Sequence, residues 1–205
     1  MQKSIFAPMN NPVININFNK FLDPVFTGWI MAQEKYKDWT PLSTPEVLKK
    51  VENYKELWSK YNEKILNGLV DITGLKFSRN YFDIHIVTGN PRPFSSPIVM
   101  KSTYDDISFI NTLTHELVHC LFMDNKKELG SVTIYEHENK TTSTHVMVHA
   151  ILKSIYLDVL NEPERLEKNI LESSNSNLGY KEAWQVVEKV GYKKILDKLK
   201  KSPSQ

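Results

Sequence analysis

The sequence lacks the residues needed for an internal disulfide and for a membrane span. Cys120 is the only cysteine among 205 residues, so no disulfide can form within the chain, which fits a reducing compartment. No stretch approaches the roughly 18 consecutive apolar residues of a transmembrane helix. The N-terminal residues also lack the apolar run of a secretory signal. We therefore expect a cytoplasmic protein that does not associate with membranes.

The sequence also lacks a strong charge of either sign. Its 26 basic and 24 acidic residues leave a net charge of +2, so the composition gives no reason to expect nucleic acid as a partner. The C-terminal lysines interleave with Ile195, Leu196 and Leu199 at helical spacing, which predicts an ordinary amphipathic helix. The length suits a single domain over residues 1–205.

Residues 112–121 read Thr-Leu-Thr-His-Glu-Leu-Val-His-Cys-Leu and carry the clearest chemical signal. On a helix, positions four apart differ by about 40° around the axis and about 6 Å along it, so His115 and His119 can present their imidazoles to one ion. Glu116 lies about 100° around from His115 and points beside that ion. A base for the water that a catalytic metal activates has to stand there.

The residues flanking the motif predict that its helix is buried. Leu113 and Leu117 fall on the side opposite His115, and Glu116 is the only formal charge between Ile107 and Met123. A solvent-facing helix rarely has one apolar and one uncharged face. The helix is therefore expected to lie inside the protein, with its histidines lining an internal site.

The decapeptide resembles the extended signature of the zincin metallopeptidases. The resemblance covers one helix closely and about 100 residues loosely. It implies an α+β, zincin-like fold with a small sheet and a backing helix above the active-site helix and a helical C-terminal lobe. The upper lobe would span about residues 1–122 and the lower lobe about 123–201. It also implies a Zn²⁺ cofactor, Glu116 as the catalytic base, and a peptide or protein substrate.

A third zinc ligand is expected C-terminal to the motif, because a catalytic zinc normally takes three protein ligands and keeps a fourth position for water. His145 and His149 repeat the spacing of four on a predicted helix over residues 141–160, on one face with Thr141 and Tyr156. This face is expected to turn toward the motif helix. We take His145 as the third ligand.

Other candidates for the third ligand remain open at this stage. In the gluzincin branch of the family the ligand is a Glu in the first turns of the next helix, and an Asp four residues later supports a ligand histidine. By that analogy His145 is the ligand and His149 its support, although His replaces Glu and 25 residues intervene after His119. Glu138 has the more usual spacing, and His149, Glu136 and His137 are further alternatives.

The rest of the chain predicts a small sheet and several helices. Strands are predicted at 13–18, 81–88 and 97–103, and helices at 23–36, 45–68, 141–160, 163–173, 180–189 and 191–201, with a loop at about 124–140. Asp105 or Asp106 is expected to cap the motif helix. By analogy with zincins, the strand at 97–103 would be the sheet edge that pairs with an extended substrate.

Together these patterns predict a zinc-dependent hydrolase, most simply a peptidase. The alternatives are a non-catalytic zinc-binding or interaction protein of the same fold, and a hydrolase of a non-peptide amide. A hydrolase similar to peptide deformylase lacks support, because that family carries a cysteine motif well before the histidine pair. Here the only cysteine follows His119. Tyr135, Tyr156 and His137 are candidates for donating a hydrogen bond to the developing oxyanion.

Overall fold

The structure, a computed structural model, describes residues 11–129 and 135–201, apart from the side chain of Glu128. It is α+β, as predicted, with one four-stranded mixed sheet among the described residues. The strands are β1 (Val13–Phe18), β2 (Tyr81–Val87), β3 (Phe94–Ser95) and β4 (Ile98–Lys101). The α-helices are α1 (Asp23–Met31), α2 (Thr44–Ser59), α3 (Asn62–Thr73), α4 (Asp106–Asp124), α5 (Lys126–Leu129), α6 (Lys140–Ser154), α7 (Pro163–Ser176), α8 (Leu178–Val190) and α9 (Tyr192–Lys201).

The sheet has the strand order β1-β2-β4-β3. β2 runs parallel to both of its neighbours, whereas β3 is antiparallel to β4 and lies at the edge. The prediction that residues 97–103 form the sheet edge was therefore wrong, because β4 lies between β2 and β3. Two residues, Phe94 and Ser95, make up the edge strand, and this strand contacts α4.

The segment predicted as one helix over 45–68 is two helices, α2 and α3. They separate at Lys60 and Tyr61, and each packs on different neighbours. α2 packs against β1 and α4, while α3 packs against α6 and α9. One straight helix could not cover both surfaces. The predicted helix over 23–36 likewise ends early, with α1 stopping at Met31 and a short 3₁₀ helix following over Glu34–Tyr36.

α4 carries the histidine motif and is fixed at its start by the predicted cap. Asp105 accepts a hydrogen bond from the backbone amide of Ser108 at 3.0 Å, which satisfies one of the free donors at the helix N-terminus. The backing helix α2 contacts α4 through Tyr54, whose ring stacks on Phe109 with centroids 3.9 Å apart. Leu113 and Leu117 are fully buried on the far side, as predicted.

α6 to α9 form the helical part that follows the motif. α6 packs on α4, α8 and α9, and its last turn widens into a π-helix over Ile155–Val159. The predicted helix over 141–160 therefore has nearly the predicted extent.

The predicted loop at 124–140 contains the short helix α5, and residues 130–134 lie outside the described part. No helix among the described residues is both long and apolar enough to cross a membrane.

Candidate metal centre

The two motif histidines face each other across one turn of α4. The Nε2 atoms of His115 and His119 lie 3.0 Å apart, and the ring centroids lie 4.8 Å apart. This is the arrangement that the spacing of four predicts. Both side chains are half-buried, so they are partly shielded from solvent.

α6 brings His145 to the same point. One ligand nitrogen from each of His115, His119 and His145 can be chosen so that all three atoms lie within 4.8 Å of one another. The ring of His145 lies 5.3 Å from that of His115 and 5.1 Å from that of His119 between centroids. The three histidines form the histidine cluster, and they could hold a metal ion. The ligand set predicted from the sequence is thus brought together, although the identity of the metal does not follow from the geometry.

The hydrogen bonding of His145 fits a metal ligand. Its Nδ1 lies 2.8 Å from the carbonyl oxygen of Thr141, one turn earlier on α6. Because a carbonyl can only accept, Nδ1 carries the proton and Nε2 keeps its lone pair. That Nε2 is buried and has no hydrogen-bond partner within the described part of the protein. A backbone carbonyl that fixes the tautomer is a common support for a ligating imidazole.

Burial also keeps the histidine cluster uncharged. Desolvation is the main cause that lowers the pKa of His115 well below its usual value, and the neighbouring histidines lower it further. Desolvation likewise lowers the pKa of His119 to about 4 and lowers that of His145. At neutral pH all three imidazoles are therefore neutral, which is the form that binds a metal.

Glu116 lies beside the histidine cluster as a buried carboxyl group. Only 4% of it is exposed, and this burial raises its pKa to about 7, although a hydrogen bond from Ser95 acts in the opposite direction. The Ser95 hydroxyl donates to Oε2 of Glu116, so the side chain is held toward β3. A carboxylate with a pKa near 7 can both accept and return a proton at neutral pH.

His149 does not play the supporting role predicted for it. It is fully buried, and neither ring nitrogen has a hydrogen-bond partner among the described residues, so it does not hold a ligand histidine. The support of His145 comes instead from the Thr141 carbonyl, which the helix itself places four residues earlier. The ring of His149 stacks on Trp184 of α8, with centroids 4.2 Å apart and planes at 11°.

The other predicted candidates lie away from the histidine cluster. Glu136, His137 and Glu138 are exposed in the segment before α6, and none belongs to the cluster. His137 accepts a hydrogen bond from the backbone of Asn139 instead. Tyr156 is fully buried in the π-helical turn, and its hydroxyl has no partner in the described structure.

Tyr180 and Arg92 are site residues that the sequence did not single out. The ring of Tyr180, near the start of α8, lies 4.4 Å from that of His145 and 6.1 Å from that of His115 between centroids. Burial raises the pKa of Tyr180, the charge of Glu116 raises it further, and the charge of Arg92 lowers it. Tyr180 therefore lies against the histidine cluster, and Arg92 is close enough for its charge to act on Tyr180. Nothing in the sequence links them, because they lie on separate elements far apart in the chain.

The fold and the histidine cluster define an α+β protein with a three-histidine site that could hold a metal ion. Neither a protein-family model, nor a curated protein, nor a solved structure matches this chain. The function is therefore argued from the site itself.

Proposed function

We propose that this protein is a zinc-dependent peptidase of the zincin type, similar to gluzincins but with His145 in place of the usual third-ligand Glu. One observation carries the proposal: three neutral histidines come together, and the residue that directly follows the first of them on α4, Glu116, is a buried carboxyl group. A site that only binds zinc would gain nothing from an additional buried carboxyl group, because burying it costs free energy.

His115, His119 and His145 would hold the zinc through three imidazole nitrogens, leaving a fourth position free. When bound, zinc would activate a water and polarise the carbonyl group of the scissile bond. Three neutral ligands leave the ion its full double charge, which suits both of these effects.

Glu116 would move the proton of the reaction. Its carboxylate accepts a proton from the attacking water as the oxygen adds to the scissile carbonyl carbon, and then gives it to the nitrogen of the leaving amine as the carbon–nitrogen bond breaks. The peptide is hydrolysed to an acid and an amine, and Glu116 ends as a carboxylate again. Ser95 holds Glu116 by its hydrogen bond throughout.

Tyr180 would stabilise the negative charge that develops on the carbonyl oxygen. Its ring lies beside His145, and its hydroxyl makes no hydrogen bond within the described residues that would have to be broken first. Burial keeps the phenol protonated at neutral pH, because it raises the pKa of Tyr180. A donor aimed at a developing oxyanion is worth roughly 100-fold or more in rate.

The decisive experiment compares Glu116→Gln with Glu138→Gln. Each substitution replaces one carboxylate by an amide, but Glu138 is exposed and outside the histidine cluster. Zinc content and the cleavage of a broad peptide library, read by mass spectrometry, are measured before chelation, after chelation and after zinc is restored. We expect Glu116→Gln to bind zinc and lose turnover, and Glu138→Gln to behave as the parent. Full activity in Glu116→Gln would refute the mechanism, whereas zinc binding without any turnover by the parent would favour a non-catalytic zinc protein.

A further inference from the structure

An aromatic cluster lies beside the edge strand β3. Phe26 and Trp29 of α1 contact Phe94 of β3, with ring centroids 5.7 and 6.0 Å from that of Phe94. Phe26 and Trp29 also contact each other at 6.2 Å. Trp29 remains 40% exposed, so the cluster reaches the surface of the protein.

This aromatic cluster is directly connected to the candidate catalytic base. Phe94 is followed by Ser95, whose hydroxyl donates to Glu116 and whose carbonyl oxygen accepts a hydrogen bond from the Cys120 thiol at 3.1 Å. β3 is thus attached to α4 at two points. Phe94 and Ser95 are consecutive strand residues whose side chains point to opposite faces, so a group held on Phe94 lies along the same two-residue edge strand as the residue that contacts Glu116.

Arg92 is held on this cluster and has no acidic partner in the described part of the chain. Its guanidinium carbon lies 5.2 Å from the centroid of the Phe94 ring, while its side chain is exposed. The other two arginines are paired, Arg79 with Asp124 and Arg165 with Glu162. No ion pair within residues 11–129 and 135–201 involves Arg92.

Arg92 is close enough to the histidine cluster for its charge to act on Tyr180, whose ring lies 4.4 Å from that of His145. A guanidinium stacked on an aromatic ring keeps its N–H groups free at the edge of its plane, where they match the two oxygens of a carboxylate. Stacking also limits the rotamers of the side chain, so less entropy is lost when a carboxylate binds.

We propose that Arg92 selects substrates that carry a carboxylate close to the bond that is cleaved. The carboxylate comes either from an acidic side chain or from the C-terminus of the peptide, since both present the same two oxygens. This inference rests on the proposed peptidase function and names the substrate class of that same site.

The test uses matched fluorogenic peptides that differ only in charge. One series exchanges Glu for Gln at each of three positions on either side of the cleaved bond, and a second compares the free C-terminal acid with its amide. Each is assayed with the parent protein, Arg92→Gln, Arg92→Lys and Lys49→Gln. The last variant is a charge-matched control, because Lys49 is an exposed cation on α2.

We expect the parent to prefer one carboxylate peptide over its neutral twin by about 3- to 10-fold in kcat/KM, as for a partly exposed charge pair. The preference should fall as salt is added. Arg92→Gln should abolish it, Arg92→Lys should keep part of it, and Lys49→Gln should leave it unchanged. The series that shows the preference identifies the source of the carboxylate.

Two results separate failure of this inference from failure of the proposed function. If the parent cleaves peptides but Arg92→Gln keeps the same preference, or if no preference exists, the role of Arg92 is overturned and the peptidase stands. If no peptide is cleaved at all, the proposed function fails. The same labelled peptides are then used in binding measurements by fluorescence anisotropy on the zinc-loaded protein. A preference for carboxylate that is lost in Arg92→Gln would support the inference, and equal binding would overturn it.

Discussion

The hydroxyl of Ser95 donates a hydrogen bond to the carboxyl group of Glu116 and so joins the sheet edge to the histidine-bearing helix. Within the described structure, Ser95 is the only side chain hydrogen-bonded to Glu116. A general base must hold its oxygen within hydrogen-bond reach of the proton that it accepts. Ser95 is therefore a positioning residue in the proposed mechanism.

Ser95→Ala should lower kcat by about tenfold, because without this hydrogen bond the Glu116 carboxylate spends less time in the reactive position. Zinc affinity should not change, since Ser95 is not in the histidine cluster. Ser95→Thr restores the hydroxyl and should recover most of the loss. Steady-state kinetics and zinc titration check both expectations. A loss expressed only in KM, or no recovery with Thr, would argue against a positioning role.

His145→Ala should weaken zinc binding by more than about 100-fold, because it removes one of three ligands. His149→Phe is the matched variant: it keeps an aromatic ring stacked on Trp184 and removes both unpartnered nitrogens. We expect it to bind zinc as the parent does. Competition with a chromogenic chelator measures both affinities. The opposite ranking of the two variants would make His149 the third ligand.

Gly179→Ala should disturb the site by forcing α8 away from α6. A Cβ atom at Gly179 would lie 2.8 Å from Cβ of Thr141, the residue whose carbonyl holds His145. Overpacking of this kind costs about 1–3 kcal/mol of the free energy of unfolding. Gly28→Ala on α1 is the control, since a Cβ there meets nothing within 4 Å. It should be neutral or stabilise by up to about 1 kcal/mol. Urea denaturation measures the stability of the two variants, and zinc titration measures their zinc affinity. If the two variants behave alike in both measurements, the expected clash with Thr141 does not occur.

Asp105 makes the stability of α4 depend on pH. Burial alone would raise its pKa, but hydrogen bonds from Lys168 and Ser108 outweigh burial and lower the pKa to about 2 from 3.8. The charged form is thus favoured in the folded state, so its contribution is complete above pH 4 and is lost as pH falls toward 2. Asp105→Asn keeps a capping oxygen without the charge.

The difference in free energy of unfolding between the parent and Asp105→Asn should be constant near neutral pH and vanish toward pH 2. It should stay below about 1 kcal/mol, because the pair with Lys168 is partly exposed. Denaturation across this pH range measures it. In a Lys168→Gln background the difference should shrink. A difference that grows as pH falls would show that the carboxylate is unfavourable in the folded state.

The sequence predicted the parts of the site that lie on single helices. His115, Glu116 and His119 follow from their spacing on α4, because a helix fixes the relation between positions four apart. His145 was predicted from the face of its helix expected to turn toward α4 and from the likeness to gluzincins, and α6 does bring it to His115 and His119. The start of α4 was predictable for a similar reason, since the capping bond of Asp105 reaches only three residues.

The contacts between elements could not be predicted in this way. Ser95 reaches Glu116 from a strand of two residues, too short for alternation to be recognised, and Tyr180 reaches His145 from a helix two elements later. Serine and tyrosine are common residues with many structural uses, so neither signals a site. The separation of α2 from α3 was also hidden, because Lys60 and Tyr61 are neither Gly nor Pro and the helical pattern continues across them.

The contact of Cys120 with β3 gives the protein a natural reporter of local opening. Its thiol is fully buried beneath Ser95, and burial raises its pKa to about 12, so it is inert while β3 stays on α4. A fluctuation that lifts the edge strand would expose the sulfur. Because the chain has no other cysteine, the rate of labelling by a thiol reagent under native conditions reports such opening at one position. A bound peptide that holds the edge strand in place would slow the labelling.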